Sequence, residues 1–171
     1  MAKWTRVLTV AAAIALAAAC STNPGRPTTL PTLTPSPTAS PTSSTSDLEA
    51  ATNVVRQYYA LLNRLSTTMD SRGLALLMTA YCRCRQQLTA IDQAKAKGER
   101  YIDHVELVSL TPVRDGNTEV SVLVEYNADS GGLVDAHGRP ITRSAPRKGV
   151  RRLFRVVQQA NIWLISDIGS A

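Results

Sequence analysis

Two cysteines separated by a single residue offer the widest range of chemistry in this sequence. Cys82 and Cys84 flank Arg83, and thiols so close together can form a disulfide, exchange electrons with another thiol or bind a metal ion. A four-ligand zinc site would also require His104 and His137, the two histidines of the chain. Because both histidines are far away in sequence, we favour a structural disulfide and predict no metal and no cofactor. The redox and metal-binding roles remain alternatives.

Three polar residues close together could transfer protons: Asp103, His104 and Glu106. Adjacent residues of a β-strand point to opposite faces of a sheet, so His104 and Glu106 can share a face that Asp103 does not. General acid–base catalysis needs a positioned pair of titratable groups, and a pocket around His104 would provide one. We favour the simpler interpretation, the polar outer face of a half-buried strand, and assign no catalytic residue.

A run of basic residues begins after Asp135, and no acidic residue follows it until Asp167. Such a run could contact anionic lipid headgroups or cell-wall polymer, at about 1 kcal/mol for each charge close to a membrane surface. The alternative is a solvated loop and strand face whose charges pair with acidic residues from elsewhere in the domain. The run comprises Arg139, Arg143, Arg147, Lys148, Arg151, Arg152 and Arg155.

The first 19 residues have the pattern of an export signal. Lys3 and Arg6 precede an uncharged run, residues 7–19, that is too short for a helix spanning a bilayer. The run ends in Leu16-Ala17-Ala18-Ala19-Cys20, which is similar to the lipobox of bacterial lipoproteins. We therefore predict a signal peptide over residues 1–19 and a lipid anchor, with palmitate as an acyl chain, on Cys20. A secretory signal without lipidation is the alternative.

Residues 20–46 are predicted to form a disordered tether that starts at the lipidated Cys20. Of the 26 residues from 21 to 46, 20 are Ser, Thr or Pro. Such a segment cannot bury enough apolar surface to offset the loss of chain entropy on folding. Proline biases it toward an extended geometry with a reach of roughly 80 Å, which suits a spacer; O-glycosylation of such a stalk is an open alternative.

Composition and charge exclude several classes of protein. The 171 residues are 44% apolar, which excludes a wholly disordered chain. The formal net charge of +6 falls to +4 when Lys3 and Arg6 leave with the signal peptide. That surplus is too small to indicate a nucleic-acid-binding protein, and we predict no nucleic-acid partner.

Residues 47–171 are predicted to form one α+β domain. Apolar residues recur at helical spacing after a capping box at Ser46-Asp47-Leu48-Glu49, and further helices are predicted over residues 70–80 and 85–97, the last ending at Gly98. Because residues two apart on a helix point away from each other, a Cys82–Cys84 bond requires non-helical backbone between the last two helices.

Strands follow the helices, and they are predicted to pair as two antiparallel hairpins. The first hairpin joins residues 101–110 to 119–126 through a turn at Arg114-Asp115-Gly116-Asn117, and the second joins 150–158 to 162–168 near Ala160-Asn161. Three helices would thus pack on a curved, mainly antiparallel sheet of four strands. The connection over residues 127–148 is long enough to be functional and could carry a small protruding hairpin. Trp163 is predicted to lie in the core.

Several of these features together resemble a known family. They are the lipobox, the Ser/Thr/Pro spacer, the helix around Val55-Arg56-Gln57-Tyr58-Tyr59, the Cys82 and Cys84 pair, the segment Gly132-Leu133-Val134-Asp135-Ala136-His137-Gly138 and the ending Trp163-Leu164-Ile165. The chain resembles actinobacterial lipoproteins of unknown function with an NTF2-like domain. The resemblance implies an NTF2-like cone and no particular activity. Enzymes with this fold often use an Asp/His pair inside the cone.

Three functions are compatible with the sequence. We favour a non-enzymatic binding or interaction domain on the extracytoplasmic face of the cell membrane, with cell-wall polymer, anionic lipid or an envelope protein as possible partners. The first alternative is a small-molecule enzyme of the isomerase or dehydratase type, with a cone pocket around His104. The second is an assembly role in which the open face of the sheet forms an interface between copies or with a partner.

Overall fold

The computed structural model describes residues 45–171. The predicted signal peptide, the predicted lipidation site Cys20 and the predicted tether up to residue 44 lie outside the described residues, and those assignments stay predictions. Among residues 45–171, no helix combines the length and the apolar composition that crossing a membrane requires.

Three helices and one helical turn occupy the first part of the described chain. They are α1 (Thr45–Thr68), α2 (Arg72–Leu76), a 3₁₀ turn at Arg83–Arg85 and α3 (Gln86–Ala96). α1 begins at Thr45, so Ser46, the predicted capping residue, lies within its first turn. The long helix buries one face, as its apolar spacing predicts. The buried residues of α1 are Ala51, Thr52, Val55, Tyr58, Tyr59 and Leu65.

Seven strands within residues 45–171 form two antiparallel sheets. The larger sheet has the order β2-β3-β6-β7, with β2 at Val105–Arg114, β3 at Glu119–Ala128, β6 at Arg147–Gln159 and β7 at Ile162–Ser170. The smaller sheet has the order β1-β4-β5. Its strands are β1 at Arg100–Tyr101, β4 at Gly131–Val134 and β5 at Pro140–Ser144.

The larger sheet packs one face against the helices, and this face forms the core. Strand residues alternate between the two faces, and the core face buries every second residue from Val120 to Tyr126 on β3, with Phe154 and Val156 on β6. Ser121 is also buried, on the other face of β3. Trp163 on β7 is buried, as predicted, with 7% of its surface exposed. The fully buried strand residues are Val120, Val122, Val124, Phe154, Val156 and Ile165.

The predicted helix over residues 70–80 is wrong in length. α2 ends at Leu76, and the chain then pairs with the sheet edge instead of continuing as a helix. The Thr79 N–H donates to the Ile165 carbonyl at 2.9 Å, and the Ile165 N–H donates to the Leu77 carbonyl at 2.8 Å. Backbone groups of β7 are satisfied in this way, which favours extended geometry over one more helical turn.

The predicted strand over residues 101–110 is interrupted. The Ile102 N–H donates to the Gly132 carbonyl at 3.1 Å, and β1 pairs with β4. The first residues of the predicted strand therefore belong to the smaller sheet, and the chain enters the larger sheet only at β2. Asp103 and His104 lie between β1 and β2, outside both strands. The predicted hairpin within residues 127–148 is present as β4 and β5, but its pairing with β1 was not predicted.

Candidate functional site

A cavity of about 490 Å³ lies between α1, α3 and the larger sheet. This volume falls in the range of small-molecule sites, roughly 300–1,000 Å³. Tyr101 of β1 lines it, together with four further aromatic rings contributed by α1, β3 and β6. These four are Tyr58, Tyr59, Tyr126 and Phe154.

The four rings pack against each other as a single cluster. Tyr58 and Tyr59 meet edge to face with centroids 5.3 Å apart, and their rings lie 5.4 Å and 5.6 Å from that of Phe154. Tyr126 lies 5.5 Å from Tyr59. Aromatic pairs at such separations stabilise by about 1 kcal/mol beyond the burial of their area. The cluster therefore gives the cavity a rigid aromatic wall.

The hydroxyls of Tyr58 and Tyr59 stay protonated over the physiological range. Burial, together with the neighbouring Tyr126, raises the pKa of Tyr58 to about 12. The same two causes, with a contribution from Tyr58, raise the pKa of Tyr59. The Tyr58 hydroxyl donates to Gln87 Oε1 at 3.1 Å. The Tyr59 hydroxyl can therefore donate a hydrogen bond to a ligand, whereas the Tyr58 proton is already donated to Gln87, and both groups are poorly suited to take a proton from a ligand.

Residues of the 3₁₀ turn and the start of α3 line the cavity next to the disulfide. Cys82 and Cys84 are bonded, with Cα atoms 5.1 Å apart. Cys82 has extended backbone, φ −60° and ψ 123°, as the predicted non-helical junction requires. The structure thus contains the favoured disulfide. The residues of this segment that line the cavity are Arg83, Cys84, Gln86 and Gln87.

The zinc alternative is not supported by the geometry. Within residues 45–171, no group of three or more His, Cys, Asp or Glu side chains could hold a metal ion. Both cysteines are committed to the disulfide. His104 and His137 are both exposed, the first before β2 and the second in the turn between β4 and β5.

The three candidate proton-transfer residues do not form one site. Asp103 is half-buried and lines the cavity, whereas His104 and Glu106 are exposed and lie outside its lining. The hypothesis of a cone pocket around His104 is therefore wrong in the residue it names, because the chain turns between β1 and β2 and directs Asp103 inward. Asp103 packs against Gly131, where a Cβ atom would collide with its carboxylate.

The basic run divides into members with different surroundings. Arg139 pairs with Asp135 at 2.7 Å and Arg151 with Glu125 at 3.3 Å, which is the solvated, ion-paired arrangement of the alternative interpretation. Arg147 and Arg152 instead line the cavity. The remaining members are Arg143, which lines a smaller cavity of about 240 Å³ beside β4 and β5, and the exposed Lys148 and Arg155.

Two cavity features were absent from the sequence interpretation. Arg83 appeared only as the spacer between the cysteines, and Tyr58 and Tyr59 appeared only as core residues. The alternation of β6 did contain a usable signal, because Arg152 and Phe154 are two apart on a strand and must share a face.

Comparison with solved structures identifies the fold. The chain is similar to the intermembrane-space region of the chloroplast protein ARC6, with a TM-score of 0.55 and 15% identity over 73% of this chain and 98% of that one. It is similar to an uncharacterised protein with a cystatin-like fold from Caulobacter vibrioides, with a TM-score of 0.52 and 15% identity over 70% of this chain and 84% of that one.

A third similar structure is a protein proposed to be an aromatic ring hydroxylase, from Novosphingobium aromaticivorans. Its TM-score is 0.52, with 13% identity over 72% of this chain and 86% of that one. No protein-family model and no curated protein matches the chain. The domain is thus an α+β, NTF2-like (cystatin-like) fold, in which helices precede a curved antiparallel sheet, as predicted. At this level of identity, the likeness defines the fold alone.

Proposed function

We propose that this protein is a lipid-anchored binding protein of the cell envelope, whose NTF2-like domain holds a small molecule in its cavity without converting it. The observation that carries the binding role is the aromatic wall formed by Tyr58, Tyr59, Tyr126 and Phe154. Apolar and aromatic surface drives the binding of small molecules, while a few polar groups orient them. The raised pKa of Tyr59 supports a role of its hydroxyl as a neutral hydrogen-bond donor.

The sequence before the domain supports the envelope location. An apolar run ending at Cys20 is the expected signal for export and acylation, and the Ser/Thr/Pro-rich segment after it suits a spacer. The disulfide between Cys82 and Cys84 agrees with an oxidising compartment. Anionic lipid or wall polymer near the anchor is a partner that the exposed Lys148 and Arg155 would suit.

The anchor is tested by metabolic labelling. Cells that express the full chain are fed an alkyne analogue of palmitate, and the wild type is compared with Cys20→Ser. We expect label and membrane association in the wild type only. Equal labelling of both proteins, or release of both into the medium, would overturn the lipid-anchor proposal.

The binding role is tested by filling the cavity. Ala128 lines the cavity, so Ala128→Phe should abolish the binding of N-phenyl-1-naphthylamine, a neutral fluorescent aromatic probe. Leu123→Phe is the matched control, because Leu123 lies on the opposite face of β3. A folded Ala128→Phe protein that binds the probe as well as the wild type does would contradict binding in this cavity.

A second candidate function is catalysis, and the position of Asp103 is the observation that favours it. Asp103 is a carboxylate lining the cavity, and an isomerase or dehydratase would use such a group as its base. Ligand recovered from the protein after incubation with an envelope extract distinguishes the two functions by liquid chromatography with mass spectrometry. A binding protein returns its ligand unchanged, a dehydratase returns one that is lighter by one water, and an isomerase returns one of equal mass and different retention time; Asp103→Asn would prevent either conversion.

A further inference from the structure

The cavity contains an excess of positive charge at defined positions. Three arginines line it, Arg83 from the 3₁₀ turn and Arg147 and Arg152 from β6, against Asp103 as the one carboxylate of its described lining. Within the part of the chain that the structure describes, none of these three guanidinium groups forms an ion pair. Arg139 and Arg151, outside this lining, do pair with carboxylates.

Arg152 is the member of this group that reaches the aromatic wall. It is half-buried, and it lies on the same face of β6 as the buried Phe154. Its positive charge acts on both Tyr58 and Tyr59. Its protein hydrogen bond is to the Ser170 hydroxyl, at 3.3 Å, which leaves further guanidinium donors for a bound group, since arginine has five.

We propose that the cavity selects amphipathic anions, molecules in which a carboxylate or sulfonate group is joined to an aromatic or apolar body. The anionic group lies on Arg152, with Arg147 and Arg83 adding to the field, and the body packs on Tyr58 and Phe154. A planar guanidinium suits two-point recognition of such an oxyanion. The proposal deepens the proposed binding function and rests on it.

The test compares two probes that share an aromatic body and differ in charge. They are 1-anilinonaphthalene-8-sulfonate, which is anionic, and N-phenyl-1-naphthylamine, which is neutral. Both are titrated by fluorescence into the full chain carrying Cys20→Ser, which removes the predicted acylation site. We expect Arg152→Gln to lower the affinity for the anionic probe about 10-fold, since one charge-assisted hydrogen-bonded contact is lost. The affinity for the neutral probe should fall far less.

The matched control is Arg155→Gln. Arg155 is exposed on the opposite face of the same strand, so this variant removes the same charge and should leave both affinities unchanged. Arg152→Lys keeps the charge and should restore part of the affinity for the anionic probe. Added salt should lower the affinity of the wild type for the anionic probe and leave that for the neutral probe unchanged. This measurement needs no variant.

Each result separates the two proposals. The ligand class would be overturned, with cavity binding intact, if Arg152→Gln and Arg155→Gln lowered the affinity for the anionic probe equally. It would also be overturned if the wild type bound both probes with equal affinity and without dependence on salt. A folded wild type that binds neither probe would overturn the proposed binding function and the ligand class with it.

Discussion

The side-chain amide of Asn63 pairs with both backbone polar groups of Val105. Asn63 Nδ2 donates to the Val105 carbonyl at 2.8 Å, and the Val105 N–H donates to Asn63 Oδ1 at 2.8 Å. A helix side chain thus fixes the start of β2, immediately after the segment that directs Asp103 into the cavity. Long-range polar contacts of this kind tie α1 to the sheet on which the site depends.

Replacing Asn63 by leucine is expected to lower the free energy of unfolding by about 2–3 kcal/mol, because both buried backbone groups of Val105 lose their partner. Asn53→Leu is the control on the same helix, since Asn53 accepts a hydrogen bond only from the exposed Arg56, and it should cost about 0.5 kcal/mol or less. Urea unfolding measures both. Equal losses in the two variants would contradict a specific role for Asn63.

Stability should fall in alkaline solution because of Tyr58. Its pKa rises from the ordinary value of about 10 to about 12 in the folded protein, so the folded state holds this proton more tightly than the unfolded state does. The resulting stabilisation is fully present below about pH 10 and is lost as the pH rises through about pH 12. Burial is the main cause of the shift, followed by Tyr126.

Tyr58→Phe tests this assignment. The variant loses the hydrogen bond to Gln87, at a cost of about 1 kcal/mol near neutral pH. Between pH 10 and pH 12, the free energy of unfolding of the variant should then fall by about 2 kcal/mol less than that of the wild type. Chemical unfolding at several pH values measures the difference, and parallel curves for the two proteins would contradict the assignment.

The Cys82–Cys84 disulfide should contribute modestly to stability. Its closed loop is very short, so the constraint on the unfolded chain amounts to about 1.5 kcal/mol. We expect Cys82→Ala/Cys84→Ala to unfold at a lower temperature than the wild type, and to bind N-phenyl-1-naphthylamine more weakly because Arg83 and Gln87 lose their fixed support. Reductant should bring the wild type to the level of the variant. If the reduced wild type kept its unfolding temperature, the bond would have no stabilising role.

The turn between β6 and β7 offers a stabilising substitution. Ala160 and Asn161 have φ values of 48° and 66°, the left-handed pair that a two-residue type I′ hairpin turn requires. Alanine is strained in this region, and asparagine tolerates it. Ala160→Asn is expected to raise the free energy of unfolding by about 0.5–1 kcal/mol, while Ala145→Asn at an exposed site should change it little. A destabilised Ala160→Asn would contradict the strain assignment.

Local patterns predicted much of this fold. The apolar spacing around Val55 predicted α1, the alternation of β3 predicted its buried face, and Gly98 predicted the end of α3. Gly98 has a φ of 72°, and the next residue's N–H, that of Glu99, returns to the Ala94 carbonyl at 2.9 Å. Each of these signals acts over a few residues, which is why the sequence alone contains them.

Long-range pairing set the limit of prediction. β1 is two residues long, and its partner β4 lies about thirty positions further along the chain, so no local pattern signals either the interruption before Val105 or the inward position of Asp103. The cavity likewise unites residues of α1, the 3₁₀ turn and β6. Only the packed structure places Arg83 and Arg152 in one lining with Tyr58.

The contact between Asp103 and Gly131 has a consequence for how this protein can evolve. The space that a side chain would fill at position 131 is occupied by the Asp103 carboxylate. Relatives with a larger residue at 131 must therefore place a smaller or differently directed one at 103, so the two positions should covary in homologues. An inward carboxylate at position 103 can persist only in lineages that keep glycine at position 131. Such lineages can be recognised from the residues at these two positions in the sequence alone.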